Sequence, residues 1–424
     1  MEEYGQGEEF MVDHQPVPQQ NPQRGPGKPK TYRRGILTGV LASCGVFVCL
    51  IAIAAFAILR GFGAGDLLGG GSLGKLATLT SIIDYYFYED VDTDQLQTGL
   101  YKGLLESLGD PYSTYYTADE FEQIMIDTSG EYAGVGMKLT QRTDTSQVFV
   151  VQVYEGSPAE QAGLMAGDEL ISADGYMAQE MDLETFVSHI RGEENSTVDI
   201  VYARDGQQQE VTVTRAHVST PSVSYQMLDG NIGYIEITDF AQNTQEQFEA
   251  AMAALKDQGM QAVIFDLRSN GGGLVDSVTA ILDDILPEGT TVYMEDKHGE
   301  RTVYSSDDEK QENMPMAVLT SGNTASAAEI FAGAIRDFNY GTLIGTGTYG
   351  KGIVQTTIPL PDGSAIRVTT ATYYTPSGEC IHEKGIEPDI ELEYQFLGTA
   401  EQAYDVSLDN QIQKAVEVLS QEMQ

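Results

Sequence analysis

Gly35 to Leu59 is a run of 25 residues without a charge, and that run limits what the chain can become more than any other feature. About 20 apolar residues suffice for a helix to cross the hydrocarbon core of a bilayer, and the apolar region of an ordinary signal peptide is shorter than this one. Arg24, Lys28, Lys30, Arg33 and Arg34 precede the run, whereas behind it only Arg60 is close and Lys75 comes next. An excess of cations on the N-terminal side puts that side in the cytoplasm. Residues 1–34, rich in Gln, Pro, Gly and Glu, then read as a disordered cytoplasmic tail without core-forming residues. Residues 35–59 are expected to form one transmembrane helix, with everything beyond Arg60 extracytoplasmic. No small-residue cleavage site ends the run, which favours a retained single-pass anchor in the cell membrane, although a cleaved one stays open.

The chain has 424 residues, enough for two or three folded units. Its formal net charge of −41 leaves nothing to neutralise phosphates and argues against nucleic acid as a partner. Cys44 and Cys49 lie inside the apolar run, so Cys380 stands alone in the exported part and a disulfide scaffold within one chain is excluded. His382 follows Cys380 by two places, but a buried unpaired cysteine is the simpler reading. The histidines are scattered, and no metal or cofactor is expected.

Residues 60–74 are glycine-rich and read as a flexible linker. Residues 75–129 read as a small helical region: one helix near 75–89, a second near 93–108 with a stripe of Leu96, Leu100, Leu104, Leu105 and Leu108, and a third opened by the capping box Thr117-Ala-Asp-Glu. In 130–216, Tyr132-Ala-Gly-Val-Gly-Met-Lys-Leu, Gly156-Ser-Pro-Ala-Glu-Gln-Ala-Gly-Leu and Ala166-Gly-Asp-Glu-Leu-Ile-Ser-Ala-Asp-Gly together resemble a β-rich PDZ domain. The resemblance implies that Gly134, Val135, Gly136 and Met137 hold a peptide carboxylate in a nest of backbone N–H groups, with the peptide added as a strand to the sheet edge. Leu183, Phe186, Val187 and Ile190 form one apolar stripe on a helix, of which about half is expected to be core; Leu183 and Val187 are the candidates for the groove wall.

From about Ser222, strands alternate with helices, which argues an α/β domain over 217–396, followed by a helical segment over 397–424. Ser326 lies at the start of an amphipathic helix whose buried face is Ile330, Phe331, Ala334, Ile335 and Phe338. There the free N–H groups and the positive dipole end favour a developing negative charge. Lys351 follows in the loop Gly345-Thr-Gly-Thr-Tyr-Gly-Lys-Gly, and Ser269-Asn-Gly-Gly-Gly makes a tight turn after the buried strand Gln261 to Arg268. Singly, the serine reads as an N-cap, the lysine as a solvated charge and the glycines as a connector. Together they suit a serine nucleophile and a lysine base kept neutral by burial.

The segments Asn323-Thr-Ala-Ser-Ala-Ala-Glu-Ile, Thr348-Tyr-Gly-Lys-Gly-Ile-Val-Gln-Thr and Asp266-Leu-Arg-Ser-Asn-Gly-Gly-Gly resemble the active-site motifs of the carboxy-terminal processing peptidases, or tail-specific serine proteases. Ala328 departs from that pattern, which often has a second serine there. The resemblance implies a crotonase/Clp-like α/β core with Ser326 as nucleophile, Lys351 as base and Gln355 orienting the lysine. It places the oxyanion-hole donors at Gly272 and Ala327. It implies an endopeptidase acting on proteins with exposed C-terminal tails, here tethered by the apolar run, and a homodimer formed through the helical region. The contact with Gln355 adds a requirement of its own, because in an extended strand it would stand about 13 Å from Lys351. The segment is therefore expected to curl through a helical turn. Glu329 and Asp337 read as capping or ion-pair residues. The rival readings are a catalytically silent PDZ adaptor and an acyl-transfer enzyme acting on small esters or thioesters.

Overall fold

The computed structural model describes residues 70–307, 309–399 and 402–424. The expected cytoplasmic tail and the transmembrane run 35–59 lie outside these residues. Among the described residues no helix is long and apolar enough to cross a membrane. The chain divides into two compact units, Met1–Thr93 and Asp94–Gln424. In the first, helix Gly70–Tyr86 begins inside the glycine-rich stretch. The linker expected over 60–74 is therefore helical in its last five residues, Gly70 to Gly74, as the first turn of a helix that runs on to Tyr86.

The second unit opens with the end of helix Thr93–Glu106. In it Leu105 is buried while Leu100 and Leu104 are exposed, as is Leu108 just beyond its end. Helix Ala118–Ser129 starts with the expected capping box: Glu120 N–H donates to the Thr117 hydroxyl, and Thr117 N–H to the Glu120 carboxylate. Between these helices lies a strand that the sequence pattern did not suggest. Thr114–Tyr116 pairs antiparallel with Arg367, Ile366 and Ala365. The region 75–129 thus contributes an edge to the core.

That core has two sheets. The first is six-stranded, ordered Val223–Leu228, Ile232–Ile237, Ala262–Asp266, Met316–Thr320, Thr342–Gly345 and Ile390–Glu391, and is parallel except for the first pair. The two central strands are buried at every position, as strands covered on both faces must be, so they read as unbroken apolar runs. Alternate side chains go to opposite faces. Val263, Phe265 and Val318 pack beneath helices Thr244–Asp257, Val275–Asp283 and Ala327–Asp337. Ala262, Ile264, Ala317 and Leu319 pack against Ile412, Ala415 and Leu419 of helix Asn410–Glu422. The C-terminal segment is accordingly the cover of one face. The second sheet is antiparallel and centres on Ala365–Tyr374, which pairs with Ile353–Pro359, with Gly289–Asp296 and with Thr114–Tyr116.

Between helix Ala118–Ser129 and strand Val223–Leu228 the chain forms a β-rich module with a sheet of six strands and its own core of Val148, Leu170, Phe186, Ile200 and neighbours. Its two ends run side by side, Glu131–Gly134 pairing antiparallel with Ala216–Ser219. The root of this two-stranded neck is pinned by Asn243, whose amide donates to Gly130 O and to the Ser219 hydroxyl.

Candidate active site

Ser326 stands at the N-cap of helix Ala327–Asp337, with φ 56° and ψ −119°. A side chain at positive φ is strained by about 1–3 kcal/mol and persists only where its surroundings over-determine it. Here they do. Ser326 N–H donates to Glu329 Oε2 (2.9 Å), its carbonyl accepts from Glu329 N–H (2.8 Å) and from the Tyr373 hydroxyl (3.1 Å), and Ala325 N–H is held by Asn270 O (3.1 Å). Half-buried Ser326 remains open on one side.

The glycine turn lies against this elbow. Gly272 has φ 115°, and a Cβ built there would come within 2.8 Å of Ser326 Cβ and 2.9 Å of the Ala325 carbonyl. The same Cβ would lie 3.1 Å from Ala327 N, so the two expected oxyanion donors are neighbours. They differ in state. Ala327 N–H is at the first helical position, which has no acceptor within the helix. Gly272 N–H already donates to Asn270 Oδ1 (2.8 Å), an Asx-type bond to the backbone two residues on. Asn270, fully buried, also donates to Ile237 O (2.9 Å) and so fixes the turn.

Glu329 organises the site in a way its sequence position did not suggest. Its side chain is 0% exposed. Oε2 accepts from Ser326 N–H and from Lys351 N–H (2.8 Å); Oε1 accepts from Gly350 N–H (2.7 Å) and the Thr348 hydroxyl (2.5 Å). One carboxylate thus ties the nucleophile's backbone to that of the lysine loop. Hydrogen bonds to an ionised acceptor are worth about 1.5–3 kcal/mol each, which offsets part of the cost of burying the charge. Asp337, by contrast, pairs with Arg336 as expected of an ion-pair residue.

Among the described residues no hydrogen bond joins Lys351 to Gln355. The segment enters strand Ile353–Pro359 with a bulge between Val354 and Gln355, and no helical turn forms. The cause is the neighbouring strand, whose ladder from Thr372 to Ala365 extends the segment. Gln355 Nε2 donates instead to the Thr369 hydroxyl (3.1 Å), which donates to Asp110 (2.6 Å). Among the described residues no hydrogen bond joins the Lys351 amine to Ser326. The amine lies 4.6 Å from the centroid of the Tyr112 ring. Burial pushes the Lys351 ammonium below its usual pKa and Arg367 pushes the same way, while Asp110 and Glu329 oppose them. Counter-charges are therefore nearer than the sequence suggested, and burial still outweighs them. Asp110 and Tyr112 lie between the second and third helices of the helical region, where the sequence reading placed no site residue.

In the β-rich module, Gly134, Val135, Gly136 and Met137 are buried where the neck meets strand Met137–Gln141. That strand is an edge, paired only with Val148–Val153. On helix Leu183–Ile190, Phe186 and Ile190 are core, Leu183 is half-exposed yet packed against that core, and half-exposed Val187 is left to line a groove. The Tyr132 hydroxyl sits before the N–H groups of Met137 and Gly136, and the Arg191 guanidinium covers its ring at 4.8 Å. Burial pushes that hydroxyl up to about 12, against the pull of Arg191 and the two amides. A tyrosine oxygen thus occupies the approach expected for a ligand carboxylate.

Three family models match parts of the chain. Residues 231–392 match the model of peptidase family S41, residues 133–214 that of the PDZ domain, and residues 65–120 that of the activating protease CtpB N-terminal domain. A "Probable CtpA-like serine protease" of Staphylococcus aureus strain N315 is 31% identical over 332 residues, covering 77% of this chain. The chain spans 66% of that protein's length. A protein of the same description from Staphylococcus saprophyticus is 31% identical over 352 residues, 81% of this chain and 71% of that one. A solved Bacteroides fragilis structure assigned to the S41 proteases shares the fold, with a TM-score of 0.52 at 17% identity over 81% of this chain and 96% of that one.

Proposed function

The chain belongs to peptidase family S41, and from that membership we propose that it is a serine endopeptidase with a Ser326–Lys351 dyad, cleaving proteins whose C-terminal tails its PDZ domain binds. The observation that carries this reading is the Glu329 carboxylate, bonded at once to Ser326 N–H and Lys351 N–H. Ser326 Oγ attacks the scissile carbonyl while neutral Lys351 takes its proton and later passes it to the leaving amine. The Lys351 amine, stacked on Tyr112 and not hydrogen-bonded to Ser326 among the described residues, comes within hydrogen-bond reach of Ser326 Oγ before it takes the proton. The Ala327 N–H is open to the oxyanion, and Gly272 N–H reaches it by exchanging its Asn270 partner. Gln355, held to Thr369, orients the lysine once it has moved. A tail adds a strand beside Met137–Gln141 and displaces the Tyr132 hydroxyl from the amides.

The decisive experiment follows cleavage of an unfolded protein that ends in an apolar tail with a free carboxylate. Full-length parent, Ser326→Ala and Lys351→Ala are compared, with and without the tail. Cleavage by the parent alone, lost without the tail, is expected. Tail binding with no cleavage by any of the three would replace this reading with a silent PDZ adaptor.

Gly272→Ala keeps the backbone N–H but pushes it out of place, and is expected to lower kcat by roughly 10²–10³, as when an oxyanion donor is lost. Its Cβ would press on Ser326 and the Ala325 carbonyl, and overpacking of this kind costs about 1–3 kcal/mol. Parental kcat in this variant would remove Gly272 from the site.

We also place the catalytic unit outside the membrane, anchored by residues 35–59, on the strength of the uncharged run and its flanking cations. Protease added to intact spheroplasts should degrade the PDZ and core domains and spare an epitope in residues 1–34. Protection of both would contradict this topology.

A further inference from the structure

The Lys351 amine faces Tyr112, and the chain takes trouble to keep that ring in place. Strand Thr114–Tyr116 is laddered to Ala365–Arg367. Just before it, Tyr112 O accepts from Arg367 Nε (3.2 Å), the Ser113 hydroxyl accepts from Thr369 N–H (3.1 Å), and Asp110 accepts from the Ser113 and Thr369 hydroxyls (2.5 and 2.6 Å). Thr369 is the register partner of Gln355. Residues 110–113 are therefore fastened to the strand that flanks the lysine and glutamine. The Tyr112 hydroxyl meets that of Tyr349, in the lysine loop itself. At 4.6 Å from the ring centroid, Lys351 Nζ is within cation–π range. Among the described residues no hydrogen bond leaves that amine for any acceptor.

We propose that Tyr112 is a positioning residue for the base: its ring holds Lys351, as the ammonium, at a resting place where it makes no hydrogen bond to Ser326. An aromatic face attracts the ammonium and has no comparable hold on the neutral amine. Turnover begins when the amine gives its proton to water; the same event loosens it from the ring and makes it competent to accept the Ser326 proton. The charges facing the amine are Asp110 and Glu329, which favour the ammonium, and Arg367, which disfavours it. The Tyr349 hydroxyl beside it and burial push the Tyr112 phenol above its ordinary pKa, so the ring meets the amine uncharged. Burial works against the ammonium, so the ring acts on a base already inclined to deprotonate. This proposal rests on the Ser/Lys reading above.

The sign of the test follows. Because the ring favours the charged form, removing its π face while keeping apolar bulk lowers the pKa of Lys351. Tyr112→Leu should move the midpoint of the kcat–pH profile down by about half a unit to one unit, and raise the rate three- to tenfold below that midpoint. Tyr112→Phe, which keeps the ring, should restore the parental midpoint. An unchanged midpoint in the leucine variant, or an equal shift in the phenylalanine variant, overturns the proposal.

A second readout needs neither turnover nor a Tyr112 variant. In full-length protein labelled at lysine Cε, the signal lost in Lys351→Arg should lie upfield of the exposed lysines through the ring current. It should move toward them as pH rises and the amine deprotonates. A Lys351 signal among the exposed lysines at the lowest pH overturns the placement. Absence of any cleavage by the parent would instead sink the peptidase reading, which separates the two failures.

Discussion

Ser326→Ala is expected to reduce turnover of a tail-bearing substrate by at least about 10⁴-fold, with tail binding unchanged. Loss of an attacking serine removes covalent catalysis altogether, and what remains is the rate supported by positioning and oxyanion stabilisation. The substitution removes one oxygen from a half-buried side chain. It leaves the backbone at φ 56° because Glu329, Tyr373 and Asn270 hold that backbone through main-chain groups. Stability should therefore stay within about 0.5 kcal/mol of the parent, as for substitutions that break no buried contact. Product quantification by mass spectrometry with a urea unfolding curve on the same samples checks both halves. Residual activity above one hundredth of the parent would mean that another group attacks.

Glu329→Gln should show the opposite division, with loss of stability as well as rate. The amide has the shape of the carboxylate but offers an N–H₂ group where an acceptor is needed. Four donors converge on Glu329, two on each oxygen. Whichever way the amide points, two of them lose their acceptor. Leaving a buried donor unpaired costs about 1–3 kcal/mol, so a loss of roughly 2–5 kcal/mol in unfolding free energy is expected. The turnover number should fall further than KM changes, because the nucleophile elbow and the lysine loop lose their common tether while the PDZ groove is untouched. A urea midpoint within error of the parent would show that the four donors find other partners, and that the carboxylate is not what holds the site.

What the sequence revealed and what it hid divide along the distance between partners. The helix after Ser326 is legible because its stripe repeats at helical spacing; Ile330, Phe331, Ala334 and Ile335 are all buried. The Thr117–Glu120 capping box is legible because both partners lie within one turn. Glu329 carries the same local signature, as the residue three places after an N-cap, and it does bond back to Ser326 N–H. Its other three donors come from residues 348 to 351, and nothing in local pattern announces them. The curl expected between Lys351 and Gln355 fails for a related reason. The need for contact with Lys351 suggested a curl, but pairing with Val368 to Thr372 extends the chain and spends the glutamine on Thr369. The three-residue strand Thr114–Tyr116 is too short for alternation to show, and its partner lies some 250 positions away. Tyr112 and Asp110 were hidden with it.

The neck of the PDZ module has a consequence for how such a chain can change over generations. Glu131–Gly134 and Ala216–Ser219 are the two arms of one hairpin, anchored at its base by Asn243. Seen from the core, the whole recognition module is what has grown at the tip of that hairpin. A different module grafted onto the same two arms would leave every strand of the core in register, and a shortened tip closed by a tight turn would do the same. The appetite of such an enzyme and its chemistry are thus separately heritable: drift in the groove redirects the blade without reforging it.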